Sequence, residues 1–200
     1  MTGIHTTAAE KPELRRELKS RLNQFSSRAE AARAQAVLSE FISEFLSSRP
    51  GLWLGFRALS GEVRLPEVHG VTWAYPRVEA DAMAFYRQQA KAPTWLKKSW
   101  GLEEPAADGT WALLADMGSV RGAFIPGLGY ARERRRLGRG GGHYDRFLAR
   151  ADVVQNQMFL KVGIGFSVQL VDDLPRESHD VVLDAVVTES ERIWNLLKAG

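Results

Sequence analysis

Leu14, Leu18, Leu22 and Phe25 recur three or four residues apart in an otherwise charged stretch, the spacing of one helix face, and Pro12 suits a first turn. A helix is therefore predicted over 11–25. Lys11 and Arg15, four apart, share one side of it beside the apolar stripe. A second amphipathic helix follows, with Ala34, Val37, Leu38, Phe41, Ile42 and Phe45 on its apolar face and Ser27 with Glu30 as a capping box at its start. The pattern then changes to short apolar runs at 52–56, 71–75, 83–86, 122–125, 162–166 and 185–187, which read as strands. Their alternation with helical or loop stretches predicts an α/β fold: a single domain over 11–200 with a mostly parallel sheet flanked by helices on both faces. Residues 1–10 are expected to be a flexible N-terminus and 106–108 a surface loop.

Composition narrows the class without naming a chemistry. Two hundred residues at 44% hydrophobic content suit one core. The absence of cysteine excludes disulfides and thiolate metal sites, and His5, His69, His143 and His179 are too scattered for a local zinc motif. No apolar run approaches a membrane span and no basic-then-apolar leader opens the chain, so a cytoplasmic protein is expected.

The segment from Arg136 to Leu148 concentrates the candidate chemistry. Gly138, Gly140, Gly141 and Gly142 leave the backbone bare where it could wrap an oxyanion, and glycine allows the positive φ angles that turn successive N–H groups inward. His143 to Leu148 resume helical spacing, so the loop is predicted to feed a helix N-terminus, where phosphate is favoured. Two common phosphate loops do not fit. A P-loop needs Lys and Ser or Thr after its last glycine, where His143 and Tyr144 stand, and the dinucleotide fingerprint needs glycine at 143. Alone, the glycines would also suit a connecting loop and Asp145 a helix cap.

Arg132, Arg134, Arg135, Arg136, Arg139, Arg146 and Arg150 crowd this region although the net charge is only +3. The aromatic platforms of a single-strand binder are missing from the patch, so a small anion is expected rather than nucleic acid. Arg132, Arg134 and Arg135 read equally well as solvated surface.

Ile125-Pro126-Gly127-Leu128-Gly129-Tyr130, followed by Arg136-Leu137-Gly138-Arg139-Gly140-Gly141-Gly142-His143-Tyr144-Asp145, resembles the signature of the 5-formyltetrahydrofolate cyclo-ligases, or methenyltetrahydrofolate synthetases. Other landmarks follow in the family's order: Lys11 and Arg15, Gly61-Glu62-Val63, Tyr75-Pro76-Arg77-Val78, Trp100-Gly101-Leu102-Glu103-Glu104-Pro105, Val162-Gly163-Ile164-Gly165-Phe166, Gln169, Pro175, His179-Asp180 and Asp184. The likeness covers roughly residues 11–188. It departs where the family has Phe-Asp and then a glycine before Arg136: Tyr130-Ala131 and Arg134 stand there, His143 replaces a tyrosine, and Leu65 a threonine.

This resemblance implies ATP- and Mg2+-dependent conversion of 5-formyltetrahydrofolate to 5,10-methenyltetrahydrofolate, with release of ADP and phosphate. Phosphorylation of the formyl oxygen gives an iminophosphate, nitrogen-10 attacks to close the ring, and phosphate leaves. Such catalysis rests on positioning and charge neutralisation. By resemblance, ATP is bound by Lys11, Arg15, Arg136, Leu137, Gly138, Arg139, Gly140, Gly141, Gly142, His143 and Tyr144. Arg139 is the catalytic charge stabiliser, and Tyr144 orients the formyl group. Folate falls to Phe56, Arg57, Glu62 and Trp100 with Arg139, Gly140, Gly141, Gly142 and His143, and magnesium to Asp145 and Asp180. Glu62 would hydrogen-bond the pterin, with Phe56 and Trp100 offering stacking surface, although those aromatics by themselves read as core. The partner is then a reduced folate, with no nucleic acid and no membrane, and the chain a monomer or weak homodimer. Two rival readings are a non-catalytic nucleotide- or polyanion-binding relative and a sugar-phosphate isomerase-like enzyme.

Overall fold

The computed structural model describes residues 11–80, 82–177 and 180–195; the expectation for residues 1–10 lies outside them. The leucine spacing yields α1 (Lys11–Ser26), which buries Leu18, Leu22 and Phe25. The second helix, α2 (Ala29–Ser47), buries Ala34, Leu38, Ile42, Phe45 and Leu46. Two details differ from the sequence reading. Ser27 does not cap α2: a tight turn, with Arg28 N–H on Phe25 O, keeps Ser27 at the end of α1, where its hydroxyl donates to Gln24 O at 2.9 Å. Val37 is 45% exposed, because it sits one position off the stripe that faces the sheet.

The chain continues through β1 (Gly51–Leu54), β2 (Val71–Glu79), β3 (Ala82–Gln88), β4 (Trp95–Lys97), β5 (Glu103–Pro105), β6 (Trp111–Leu113), β7 (Val120–Ile125), β8 (Gly129–Ala131), β9 (Arg136–Leu137), α3 (His143–Leu148), α4 (Ala151–Gln155), β10 (Leu160–Ile164), β11 (Leu170–Val171), β12 (Ala185–Val187) and β13 (Arg192–Trp194). All six expected strands lie in one eight-stranded sheet of order β13-β12-β10-β7-β1-β2-β3-β6. From β12 to β2 the pairs are parallel, and β13, β3 and β6 add antiparallel margins.

Helices cover both faces, as the pattern predicts. On one, Phe25, Leu38, Ile42 and Phe45 of α1 and α2 pack on Trp53, Trp73 and Phe124. On the other, Phe147, Leu148 and Val153 of α3 and α4 pack on Leu54, Ala74, Phe85 and Ile125. Each large apolar side chain so buried contributes roughly 1.5–3 kcal/mol. The connections are less helical than alternation suggests. Residues 55–70, between β1 and β2, run as an irregular loop that carries Glu62.

β2 outruns β1, which opens a crevice at the strand C-termini. Their register ends at Leu54 opposite Ala74, and Gly55 N–H donates to Ala74 O at 2.8 Å. Alternation along β2 turns the nitrogens of Pro76 and Val78 to this same, now unpaired edge. Proline has no N–H to leave orphaned there, and Glu104 Oε1 accepts the one from Val78 at 3.2 Å.

A small sheet of order β11-β8-β9 lies under α1. Leu18 of α1 packs with Leu128, Ala131, Leu137 and Leu174. At Gly129 a Cβ would stand 2.6 Å from Leu18 Cδ1, so a bare backbone is what lets the helix approach so closely. That contact brings Arg15 beside the chain that follows β9, where its Nε reaches Gly138 O. Among the described residues no helix is long and apolar enough to cross a membrane.

Candidate active site

The glycine loop links β9 to α3 on the crevice side of the sheet. Gly140 (φ 106°) and Gly142 (φ 65°) take left-handed backbone angles that side chains resist, and Gly142 is the N-cap of α3. Asp145 therefore sits in the first turn and not at the cap. Among the described residues, no backbone hydrogen bond has the N–H of Arg139, Gly140, Gly141 or Gly142 as its donor. The loop's carbonyl side is tied down instead, with Arg15 Nε donating to Gly138 O at 3.0 Å. His143 contacts Arg146 (Nδ1 to Nη2, 3.1 Å).

Arg136 braces the base of this loop. Its Nη2 meets Asp145 Oδ2 at 2.8 Å, its Nη1 donates to Pro126 O at 3.4 Å, and its guanidinium lies 5.4 Å from the centre of the Tyr144 ring. The Tyr144 hydroxyl and Arg136 Nε are buried and have no hydrogen-bond partner among the described residues. Burial, and next the charge of Glu62, push the Tyr144 phenol well above its ordinary pKa, with Arg136 opposing. Tyr144 thus stays a neutral hydroxyl with unspent hydrogen-bonding capacity.

Glu62 reaches this loop from the opposite wall. Its Oε1 accepts from Arg139 Nη2 at 2.8 Å and Nε at 3.2 Å, while Oε2 accepts Leu59 N–H at 2.9 Å. Lys11, 6% exposed, donates to Glu177 Oε2 at 2.6 Å and Asp180 Oδ2 at 3.0 Å. Leu137 is buried beneath the loop.

The remaining candidates lie at the crevice margin or under it. Arg57 is clamped by Glu103 Oε2, 2.6 Å from its Nη2, and lies 4.6 Å over the Trp95 ring. Phe56 is buried in the main core cluster. Trp100 belongs to a 3-10 turn between β4 and β5; the stacking expected of it, and the role of His179, lie outside the described side chains and residues. Glu177 and Trp95 carry no local motif, Glu103 belongs to the Trp100–Pro105 landmark without a role of its own there, and only the fold brings the three to Lys11 and Arg57.

Other arginines of the basic stretch are engaged within the chain. Arg132 pairs with Glu191, Arg135 with Asp173, Arg150 with Asp152, and Arg134 Nε donates to Leu183 O at 3.2 Å. Arg134 holds φ at 63°. This is the position where the resemblance places glycine, so the substitution leaves a left-handed turn in place under a side chain that resists it. Tyr130, in place of the expected phenylalanine, is fully buried with its hydroxyl 2.9 Å from Ile125 O and Ile164 O.

A model of the 5-formyltetrahydrofolate cyclo-ligase family matches residues 58–189, an interval that includes Glu62, the glycine loop, Asp145 and Asp180. The chain belongs to this family. A 5-formyltetrahydrofolate cyclo-ligase of Mus musculus is 31% identical over 93 residues, 46% of this chain and 46% of that protein. Another, from Mycolicibacterium smegmatis, is 31% identical over 100 residues, 50% of this chain and 48% of its own. The chain thus spans about half the length of these curated cyclo-ligases. The solved 5,10-methenyltetrahydrofolate synthetase of Aquifex aeolicus is 29% identical with a TM-score of 0.69, covering 96% of this chain and 94% of that one. A synthetase from Mycoplasma pneumoniae, at 20% identity, shares the fold with a TM-score of 0.68 over 90% of this chain and 99% of its own.

Proposed function

We propose that this cyclo-ligase family member converts 5-formyltetrahydrofolate to 5,10-methenyltetrahydrofolate using ATP and magnesium. The observation that carries the reading is the meeting of three separate parts of the chain: α1 holds the glycine loop through Arg15 and Gly138 O, and the loop holds the substrate wall through Arg139 and Glu62.

The glycine loop, with N–H groups not spent on backbone acceptors and two left-handed residues, suits a triphosphate; Arg15 adds charge from α1, and Lys11 would do so on exchanging Glu177 and Asp180 for phosphate. Arg139 is the group to neutralise charge as the γ-phosphoryl passes to the formyl oxygen. That transfer forms one P–O bond and breaks the bond to ADP. Nitrogen-10 then attacks the formyl carbon, loses its proton, and phosphate leaves with the former formyl oxygen. Tyr144 supplies an un-ionised hydroxyl to orient the formyl group, and Glu62 an acceptor pair for the pterin's N–H donors.

Asp145 fits a hard cation: Oδ2 is held by Arg136, while Oδ1 stays outside that ion pair. Asp180 faces Lys11 with both oxygens, so it would exchange this ammonium for a metal or share the site with it. Magnesium there would neutralise phosphate charge.

Purified protein given 5-formyltetrahydrofolate, ATP and magnesium should produce the methenyl chromophore and one ADP per turnover. Nucleotide binding without product would make the chain a non-catalytic relative. Turnover of a phosphosugar without ATP would favour the isomerase reading.

A further inference from the structure

A second concavity, lined by none of the candidate site residues, lies between α1, α2 and the 3-10 turn at Ser167–Gln169. Its volume is about 660 Å³, inside the range of roughly 300–1,000 Å³ typical of small-molecule sites. The helix spacing accounts for its floor: Phe25 and Ala34 line it from the helices, Val168 from the turn, Leu170 from the start of β11, and Val37, the apolar residue off the core stripe, also faces it.

The rim is cationic. Arg21, Arg28 and Arg33 line it. Arg21 pairs with Glu17 along the helix, whereas Arg28 and Arg33 form no ion pair among the described residues. Of the two acids lining it, Glu189 is occupied by Ser167, whose N–H and hydroxyl both donate to it. Glu30 remains on the rim. Three arginines against Glu30 and the hydrogen-bonded but still charged Glu189 leave the lining with a small positive excess. Two guanidiniums outside any ion pair among the described residues, over an apolar floor, complement a ligand with a flat or branched apolar body and an acidic head, since a guanidinium pairs carboxylate, sulfonate or phosphate in a forked geometry.

We propose that this groove is a binding site for a small amphipathic organic anion, separate from the candidate active site. Arg28 and Arg33 hold the acidic head, and Phe25, Val37 and Val168 hold the apolar body. An acidic peptide would need a longer track than one groove of this volume, so its binding is an outcome of the test, not the claim.

The probe is 8-anilinonaphthalene-1-sulfonate, compared with neutral N-phenyl-1-naphthylamine, each titrated by fluorescence into the full chain. The expected result is saturable binding of the sulfonate that persists at saturating ATP. Arg28→Glu/Arg33→Glu should weaken it at least tenfold, and leave the neutral probe within twofold. Val37→Trp, a substitution at an exposed position, should block both probes by filling the floor, and thermal unfolding should show that both variants remain folded. Equal sulfonate affinity in wild type and the charge-reversal variant, or displacement of the sulfonate by ATP, would overturn the proposal. So would tighter binding of an acidic decapeptide than of the sulfonate. Because the readout is probe binding and not turnover, inactivity toward folate leaves this result unaffected.

Discussion

Arg139 and Glu62 neutralise one another across the crevice, with two guanidinium nitrogens on a single carboxylate oxygen at 2.8 and 3.2 Å. The Glu62 side chain is 7% exposed and that of Arg139 42%, so one partner is sequestered and the other can leave. The proposed reaction assigns the first to folate and the second to the transferring phosphoryl group. Nucleotide must therefore break this pair when it binds alone, and folate that occupies Glu62 would already have released Arg139. Glu62→Gln should tighten binding of a non-hydrolysable ATP analogue, without folate, by about fivefold, equivalent to ~1 kcal/mol. Unchanged affinity by calorimetry would show that the ion pair opposes nothing.

Tyr144 offers a prediction in which stability and activity move in opposite directions. Its hydroxyl is buried and has no partner among the described residues, a state that costs about 1–3 kcal/mol relative to leaving the group out. Tyr144→Phe should raise the denaturation midpoint by the equivalent of about 1 kcal/mol, while lowering kcat more than KM if the hydroxyl orients the formyl group. A variant that is both less stable and fully active would remove Tyr144 from the site.

Gly142 tests the loop itself. At φ 65°, with an added Cβ only 2.7 Å from Arg146 Nη1, alanine meets both backbone strain and a side chain that must move. Gly142→Ala should cost roughly 1–2 kcal/mol of stability, and nucleotide affinity should fall with it. Gly142→Asn, which tolerates left-handed angles, should recover much of the stability. Equal stability of the alanine and asparagine variants would mean that the strain is absorbed elsewhere.

Much of this was legible in the sequence because it depends on local period and backbone freedom. The stripe of Leu18, Leu22 and Phe25, the six runs of the main sheet and the bare glycines before Tyr144 each state their structure within a few residues. The small sheet was not legible: β8, β9 and β11 are two or three residues long, too short for alternation to emerge. The partners of the site cations were also hidden. Glu177 lies 166 positions from Lys11, and Glu103 46 from Arg57, and neither separation leaves a pattern. Ser27 misled because a capping box and a tight inter-helix turn use the same residue types. Val37 misled because an apolar residue beside a stripe is indistinguishable from one within it until the packing angle is fixed.

The tyrosines predict how the fold fails in alkali. The chain has four, and all are held above the ordinary phenol value. Tyr75 is pushed up to about 12, by burial first and the charge of Glu67 second, against the pull of Arg57. Burial leads for Tyr86, Tyr130 and Tyr144 as well. In the unfolded chain each should ionise near ~10. Below that pH both states keep their protons, and the contribution to stability is constant and fully present. Above it the unfolded chain has released protons that the native one retains, so stability falls as pH rises, by ~1.4 kcal/mol per pH unit for each tyrosine still protonated only in the fold. Phenolate absorbance and circular dichroism followed together from pH 9 upward should therefore change in one coincident transition. Four phenolates appearing near their ordinary pKa while the dichroism stays native would contradict the burial of Tyr130 and Tyr144, and with it the sequestered hydroxyl on which the role of Tyr144 depends.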